Sequence, residues 1–412
     1  MNRRQFLTKS ILSSSALLAA SGLSYVGLRF WPESGLTNPC LTGLPDDLKN
    51  HPLLAQVWSD IDPSQVWDCH AHIFGSGDSN SGVWFNPDMQ SWRHPILKVQ
   101  KLFYVNGGCI ADQNSDASFV ERMLALSAEM PTGYKTMLLA FDWQRDKQGV
   151  ADKEHSIFYI PNDYAASIAK QYPQYFEWAA SIHPYRADAL DELEKAHVNG
   201  ARAVKWLPSS MGIDPASAKC DKFYQKLHDL NMPIINHSGL EAAVLGGNQA
   251  YGNPLRLRRA LDAGVRVVLA HCASAGHDED LDNGNKSTKS FYLFSRLMDT
   301  PAYKNLIFGD ISAQALFINA WAIKPLLSRP DWHHRLINGT DYPLPGILPL
   351  ISTKELARMG LLQYEHIPFL QSLRDYNPLL FDFATKRLLS FEGKSFSKSV
   401  FETRNFFEKA PA

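Results

Sequence analysis

The sequence predicts an α/β fold in which eight parallel strands close into a (β/α)8 barrel of the TIM type. Eight segments have the apolar sequence of buried strands, helical segments separate them, and most of these strands end on a side chain that can bind a metal. Parallel strands covered by helices have nearly continuous apolar sequences. Barrels of this class carry their chemistry at the carboxyl ends of the strands.

The predicted strands and helices alternate along most of the chain. The strands lie at 66–74, 134–142, 176–184, 200–208, 232–239, 266–273, 305–312 and 335–343. The helices lie at 116–130, 188–198, 216–231, 254–263, 290–301 and 315–327. A doubly wound open sheet is the alternative fold. Such a sheet usually has a glycine-rich turn after its first strand, and here Gly75 and Gly77 lack the third glycine that opens a helix.

The first strand contains the most informative motif, Asp68-Cys-His-Ala-His72. Side chains two residues apart on a strand point to the same side. We therefore expect His70 and His72 in one cavity with Asp68 one pleat behind, and Cys69 facing the helices. Two surface histidines on an ordinary strand would have the same spacing, so the later strand ends decide between the two interpretations.

Four later strand ends carry polar side chains: Lys205, His237, His271 and Asp341. Zinc and related divalent ions bind imidazole and carboxylate groups, and a catalytic site keeps one position open for water. His70, His72, His237 and Asp341 would complete the ligand set of one ion. His271 would lie next to the open position and orient or protonate the substrate. Asp341 would take the proton of the metal-bound water, whose pKa falls from about 15.7 to about 7.

Three further polar residues also fall at predicted strand ends: Asp142, His183 and Asp310. We expect them to line the same mouth, where they would fix the orientation of metal ligands through hydrogen bonds. His183 is in addition a candidate for substrate binding.

The connection at 75–114 is long for a loop between a strand and a helix, and it carries Trp92 and Arg93. Long loops on this side of a barrel usually build a substrate pocket or an interface. Trp92 and Arg93 are therefore candidates for binding a flat or acidic organic substrate. A contact between copies in a homo-oligomer is the alternative. The segments 240–253 and 277–289 are expected to be mobile rim loops.

Taken together, the motifs resemble those of the amidohydrolase superfamily, especially its amidohydrolase 2 branch of metal-dependent hydrolases. The matching segments, from about residue 66 to about residue 387, are Asp68-Cys-His-Ala-His72, Val204-Lys205, Asn236-His237, Ala270-His271 and Gly339-Thr-Asp341-Tyr-Pro343. The resemblance implies that His70, His72, His237 and Asp341 are metal ligands. It also implies that His271 is a ligand or a catalytic residue.

Lys205 leaves the number of ions open, between one and two, with zinc the expected metal. The resemblance implies that a carbamylated Lys205 bridges two ions, as in the two-metal members, and this arrangement is slightly favoured. In the alternative, one ion is bound and the free lysine holds a substrate carboxylate as a point charge. A lysine that only neutralises buried carboxylates is the third interpretation.

Composition and the two ends of the chain bound the remaining possibilities. The formal net charge is −1, and the sequence has no long basic run of the kind that binds nucleic acid. A small molecule is therefore the expected partner. The five cysteines show no CxxC spacing and are interpreted as structural, with no disulfide assigned. Arg3 and Arg4 followed by an apolar stretch predict a twin-arginine export signal over 1–30.

This signal predicts a periplasmic protein exported by the twin-arginine machinery, anchored to the membrane if the signal is not cleaved. A signal anchor or an ordinary secretory signal is the alternative. The predicted regions are the signal at 1–30, an N-terminal extension at 31–65, the barrel at 66–395 and a C-terminal tail at 396–412.

The leading hypothesis for function is a metal-dependent hydrolase that acts on an amide, ester or lactone bond of a small organic molecule. A metal-dependent, non-oxidative decarboxylase of the same architecture is the alternative. A non-catalytic periplasmic binding protein is the third possibility, and the presence of every expected ligand type argues against it.

Overall fold

The computed structural model describes residues 35–244 and 246–408. Its strands in chain order are Trp67–His72 (β1), Trp84–Phe85 (β2), Lys135–Leu139 (β3), Phe158–Tyr159 (β4), Phe176–Ala179 (β5), Val204–Trp206 (β6), Ile234–His237 (β7), Val267–Ala270 (β8), His277–Asp280 (β9), Lys286–Lys289 (β10), Ile307–Asp310 (β11) and Leu336–Ile337 (β12). Each of the eight predicted strands contains one of them. The other four form two small antiparallel pairs, β2 with β4 and β9 with β10.

The eight strands that match the prediction form two parallel sheets. One has the order β1-β3-β5 and the other the order β12-β11-β8-β7-β6. Isolated bridges join the edges of the sheets: Lys205 N–H donates to the Ala180 carbonyl at 2.7 Å, and His72 N–H donates to the Tyr342 carbonyl at 2.9 Å. The continuous ladders stop at these two seams. The architecture is thus mixed α/β with two parallel sheets that meet edge to edge.

The helices cover the outer faces of the sheets. The α-helices in chain order are Asp46–Lys49 (α1), Pro52–Trp58 (α2), Pro95–Gly107 (α3), Ser115–Ala128 (α4), Asn162–Gln171 (α5), Ala189–Val198 (α6), Pro208–Met211 (α7), Asp221–Asp229 (α8), Arg258–Asp262 (α9), Ser290–Met298 (α10), Ile323–Leu327 (α11), Thr353–Arg358 (α12), Ile367–Tyr376 (α13), Pro378–Leu388 (α14) and Arg404–Glu408 (α15). Each of the six predicted helices overlaps one of them.

A small apolar cluster lies between the two sheets, separate from the large core between sheets and helices. It takes side chains from seven of the eight parallel strands and from Ala203, which precedes β6. Phe406 and Phe407 of α15 close it at the amino ends of the strands, where Phe407 stacks on Trp67 at 6.4 Å. The carboxyl ends of the strands, where the candidate site residues lie, remain open to a cavity.

Two segments that the sequence predicts as loops contain regular structure. The segment 277–289 is not an irregular loop, because β9 and β10 form an antiparallel hairpin in it. Helix α3 occupies much of the connection 75–114. The polar residues of 277–289 lack the apolar alternation by which strands are predicted, and neither the hairpin nor α3 was assigned from the sequence.

The N-terminal extension packs against the C-terminal helices. Trp58 stacks on Phe383 with ring centroids 4.0 Å apart, and Cys40 forms a disulfide with Cys109 at the end of α3. The predicted export signal at 1–30 lies outside the described residues. None of the described helices is both long and apolar enough to cross a bilayer.

Candidate metal centre

An irregularity in β1 sets the orientation of its polar side chains. The pairing of β1 with β3 shifts register between Asp68 and Ala71. The Asp68 carboxylate therefore points away from the cavity and accepts hydrogen bonds from Thr340, at 2.8 Å from N–H and 2.6 Å from Oγ1. Cys69 lies in the apolar cluster between the sheets. The expectations that Asp68 stands behind the histidines and that Cys69 faces the helices are both wrong, because strict alternation ignores this shift.

His70 is fully buried, and its hydrogen bonds fix the nitrogen that it offers to the cavity. Nδ1 lies 2.9 Å from Asp310 Oδ2, so Nδ1 carries the proton and Nε2 keeps its lone pair. Burial and the nearby Lys205 cation lower the pKa of His70 to about 3. His70 is thus a neutral imidazole over the physiological range, which is the form that binds a metal.

His271 is oriented in the same way from the second sheet. Its Nδ1 lies 3.1 Å from the Ser312 carbonyl and 2.8 Å from Ser312 Oγ, which leaves Nε2 for the cavity. The Ser312 hydroxyl also makes a short hydrogen bond to Asp310. Ser312 has no role in the sequence-based prediction. Its place two residues after Asp310 on a strand end is the only signal that could have revealed it.

Asp341 is buried and lies beside the rings of His70, His72 and His271. Burial opposes its ionisation, the hydrogen bond from His72 Nε2 at 3.2 Å favours it, and the net effect holds the pKa of Asp341 well below its ordinary value. Both His271 and Asp341 have a left-handed backbone, with φ of 55° and 61°. This conformation is uncommon outside glycine, and such strained residues cluster at functional sites.

The spacing of these donors matches that around a small divalent cation. Asp341 Oδ1 lies 3.2 Å from His72 Nε2 and 3.5 Å from His70 Nε2, and Asp341 Oδ2 lies 3.6 Å from His271 Nε2. Ligands about 2.1 Å from a tetrahedral ion lie roughly 3.4 Å apart. Donor atoms of His70, His271 and Asp341 all lie within 4.8 Å of one another. Two imidazole nitrogens and one carboxylate oxygen are therefore close enough together to hold one ion.

His237 lies at the edge of this group. Its ring centroid is 5.2 Å from that of His271, but it is not one of the three residues whose donor atoms converge. Its Nε2 is 3.2 Å from Oε2 of Glu241, whose other oxygen accepts from the N–H groups of Ala243 and Val244 at 2.6 and 2.8 Å. Glu241 is a buried cavity residue that the sequence-based prediction missed. Its spacing of four residues from His237 was the available signal.

Lys205 lies beside His70. Its Nζ lies 2.9 Å from His70 Nε2, and the side chain is 1% exposed. Burial lowers the pKa of Lys205, while the carboxylates of Asp310 and Asp341 act in the opposite direction. The lysine therefore occupies the face of His70 to which a metal ion would bind.

The cavity above this centre has polar groups at its floor and apolar walls. Lys205, His72, His237, His271, Asp341 and Glu241 supply the charged or titratable floor. The walls include Phe74, Tyr104, Phe141, Phe158, Leu207 and Leu316. A cavity of this kind suits a largely apolar organic molecule with a polar group at one end.

His183 and Asp142 lie next to the cavity without lining it. Both ring nitrogens of His183 form hydrogen bonds with the main chain. Nε2 lies 3.0 Å from the Met211 carbonyl, and Nδ1 accepts from Tyr185 N–H at 3.2 Å. Asp142 accepts from His183 N–H at 2.9 Å and pairs with Arg145 and Arg186. Neither residue orients a predicted metal ligand, whereas Asp310 does so for His70.

Trp92 and Arg93 lie on the outer surface, and neither lines the cavity described above. Trp92 is 69% exposed, and the ammonium group of Lys98 lies 4.5 Å above its ring. The part of the 75–114 connection that does reach the cavity is Tyr104, on the inner side of α3.

Comparison with known proteins places these motifs in a family. A family model described as amidohydrolase matches residues 67–346, about two thirds of the chain. No protein with a curated description matches the sequence.

Several solved structures are similar to the chain at low identity. They include an uncharacterised TIM-barrel protein from Bordetella bronchiseptica (17% identity, covering 68% of this chain and 86% of that one, TM-score 0.43). A protein proposed to be a 2-pyrone-4,6-dicarboxylic acid hydrolase, from Pseudomonas putida, has 14% identity, coverage of 77% and 97%, and a TM-score of 0.43. The 5-carboxyvanillate decarboxylase of Sphingomonas paucimobilis has 8% identity, coverage of 78% and 96%, and a TM-score of 0.42.

Proposed function

The chain belongs to the amidohydrolase family, and from this premise we propose that it is a metal-dependent hydrolase that cleaves an amide, ester or lactone bond of a small organic molecule. The observation that carries the proposal is the convergence of the His70, His271 and Asp341 donor atoms at the floor of the apolar cavity. We further propose that the two sheets are the wall of a (β/α)8 barrel. The bridges at both seams and the apolar cluster between the sheets support that architecture.

His70, His72, His237 and Asp341 would hold the cation, with His271 as a further ligand. The cation, when bound, supplies Lewis acidity for the activation of water or of a substrate carbonyl. Asp341 is the residue that takes the proton of the attacking water, because its carboxylate is ionised and faces the cavity. Since Nδ1–H of His271 is donated to Ser312, its Nε2 is a lone-pair donor, which supports a role as ligand over a role as acid.

Lys205 and a cation compete for the same lone pair of His70. A free ammonium group must turn away when the ion binds, and it would then be available to a substrate carboxylate. A carbamylated Lys205 would instead be an anion that binds metal. We propose one ion with a free Lys205 and two ions with a carbamylated Lys205 as the two states to distinguish, with zinc as the first metal to test.

Lys205 also favours a second candidate function. A buried lysine that lines the cavity can hold the carboxylate of a substrate that loses carbon dioxide, so a non-oxidative decarboxylase is the alternative. Assays on paired substrates separate the two reactions: esters and lactones of aromatic acids report hydrolysis, and release of carbon dioxide from the free acids reports decarboxylation.

The test of the proposal combines metal analysis with turnover. We expect purified protein to contain bound divalent metal, to lose turnover when a chelator removes it and to regain turnover with zinc or manganese. His237→Ala should abolish metal-dependent turnover and leave the circular dichroism spectrum unchanged. His155→Ala, at an exposed position that does not line the cavity, is the control and should keep the full rate. Absence of bound metal together with no gain of turnover on metal addition would refute the proposal.

A further inference from the structure

Helix α3 and the turn before it expose a row of apolar side chains. The exposed fractions are 69% for Trp92, 51% for Ile96, 39% for Val99 and 54% for Leu102. Among the thirteen residues of the helix only Gly107 is buried. Helices in proteins are stabilised mainly by burying an apolar face, and contiguous exposed apolar residues mark an interaction site. This helix therefore presents an apolar face that the rest of the described chain does not cover.

Basic side chains flank the same surface. Lys98 Nζ lies above the Trp92 ring and donates to the Gln90 carbonyl at 2.9 Å, and Lys101 Nζ lies 4.5 Å from the Phe85 ring. Across residues 35–244 and 246–408, neither lysine forms an ion pair with a carboxylate, nor does Arg93. The surface thus combines aliphatic groups, one exposed tryptophan and the positive charges of Lys98 and Arg93, while Lys101 faces the buried Phe85 ring and interacts with Asp112, and Asp88 pairs with His94.

The inner side of the same helix is a wall of the cavity. Tyr104 lines the cavity and donates to the Ala243 carbonyl at 3.0 Å. Leu240 and Ile318 also line the cavity and are 48% and 41% exposed, so the mouth is apolar as well. At the C-terminal end of the helix Asn106 accepts from Asn38 N–H at 2.8 Å, which places the start of the described chain beside this surface.

We propose that Trp92 and the outer face of α3 dock the protein on an anionic lipid surface. Helices that lie in the membrane interface combine aliphatic residues and tryptophan with lysine and arginine. Anionic headgroups attract basic side chains near the surface. A protein partner fits less well, because lysine is depleted in the cores of protein interfaces, whereas Lys98 lies directly over the exposed Trp92 ring here. The inference does not depend on the reaction proposed above.

Vesicle binding by the full chain tests the proposal. We expect co-sedimentation with vesicles of equal parts phosphatidylcholine and phosphatidylglycerol, and weaker binding to phosphatidylcholine alone. The double variant Val99→Asp/Leu102→Asp should bind the anionic vesicles about tenfold less tightly or worse. Val150→Asp/Val198→Asp is the matched control, because both valines are exposed apolar residues elsewhere on the surface. It should bind as the unmodified protein does.

Hydrogen exchange locates the contact even if residues before 35 also bind lipid. With anionic vesicles we expect slower exchange in 92–107 and unchanged exchange in α6, which lies away from this surface. Unchanged exchange in 92–107, or equal binding by the double variant and the control, would overturn the proposal. So would a dimer in solution that Val99→Asp/Leu102→Asp converts to a monomer, since a second copy would then be the occupant.

Discussion

At the scale of single residues, Glu241 determines which nitrogen His237 can offer to a cation. Its carboxylate is held by two backbone N–H groups, and its free oxygen faces His237 Nε2 at 3.2 Å. This contact assigns the proton of His237 to Nε2 and leaves the lone pair of Nδ1 available to bind a cation. Carboxylate partners of this kind fix the tautomer of ligating histidines, and their loss usually costs about 10–100-fold in metal affinity.

We therefore predict that Glu241→Gln weakens zinc affinity by about tenfold or more while the apo protein keeps its thermal stability. Competition with a chromophoric chelator measures the dissociation constant. Glu365→Gln, at an exposed position, is the control and should leave the affinity unchanged. If Glu241→Gln binds zinc as tightly as the control does, Glu241 only organises the loop at 241–244.

His183 predicts a pH dependence of stability that is independent of metal binding. Burial lowers the pKa of His183 from 6.5 to about 4, so the folded protein keeps this imidazole neutral where the unfolded chain already binds a proton. Its contribution to stability is complete above pH 6.5 and is lost as the pH falls through about 4. The contribution is about 3 kcal/mol at most.

His183→Gln should accordingly flatten the decrease in the free energy of unfolding between pH 6.5 and pH 4. Urea denaturation at several pH values measures this slope. His155→Gln, which changes an exposed histidine, should reproduce the slope of the unmodified protein. An equally steep slope in His183→Gln would show that other groups cause the acid sensitivity.

At the scale of secondary structure, the strands were predictable and the local irregularities were not. Apolar composition locates all eight parallel strands, because buried parallel strands depend on it. The register shift after Asp68 has no signature in composition or spacing, so the sides on which Asp68 and Cys69 lie were predicted wrongly. The left-handed backbone of His271 and Asp341 is likewise determined by tertiary contacts.

The disulfide between Cys40 and Cys109 was also beyond the sequence, since five cysteines allow many pairings. It connects the N-terminal extension to the end of α3 across a separation of 69 residues.

We predict that Cys40→Ser lowers the free energy of unfolding by about 2–4 kcal/mol. Urea denaturation with and without a reductant tests this, because the reductant should destabilise the unmodified protein and have no effect on Cys40→Ser. A reductant effect of equal size in both proteins would assign the destabilisation elsewhere.

At the scale of the whole molecule, the candidate centre lies across the division between the two sheets. His70 and His72 come from the three-stranded sheet, while His271 and Asp341 follow strands of the five-stranded sheet. The spacing in the sequence predicted which residue types gather at the strand ends. It could not predict that Asp310 forms a hydrogen bond with His70 Nδ1 and Ser312 with His271 Nδ1, because the contact between Asp310 and His70 spans 240 residues of sequence.

The position of the centre leads to a prediction about global stability. A cation bound by both sheets connects them where the continuous hydrogen-bond ladders stop, and it binds only the folded protein. It should therefore raise the free energy of unfolding by about 2.7 kcal/mol when the free metal is at 100 times its dissociation constant. Differential scanning calorimetry of apo and zinc-loaded protein should show a melting temperature that rises with zinc concentration. Asp341→Asn should lose most of this dependence because it removes the carboxylate that lies within 3.6 Å of ring nitrogens of His70, His72 and His271. A melting temperature that zinc raises equally in Asp341→Asn would place the stabilising ion outside this centre.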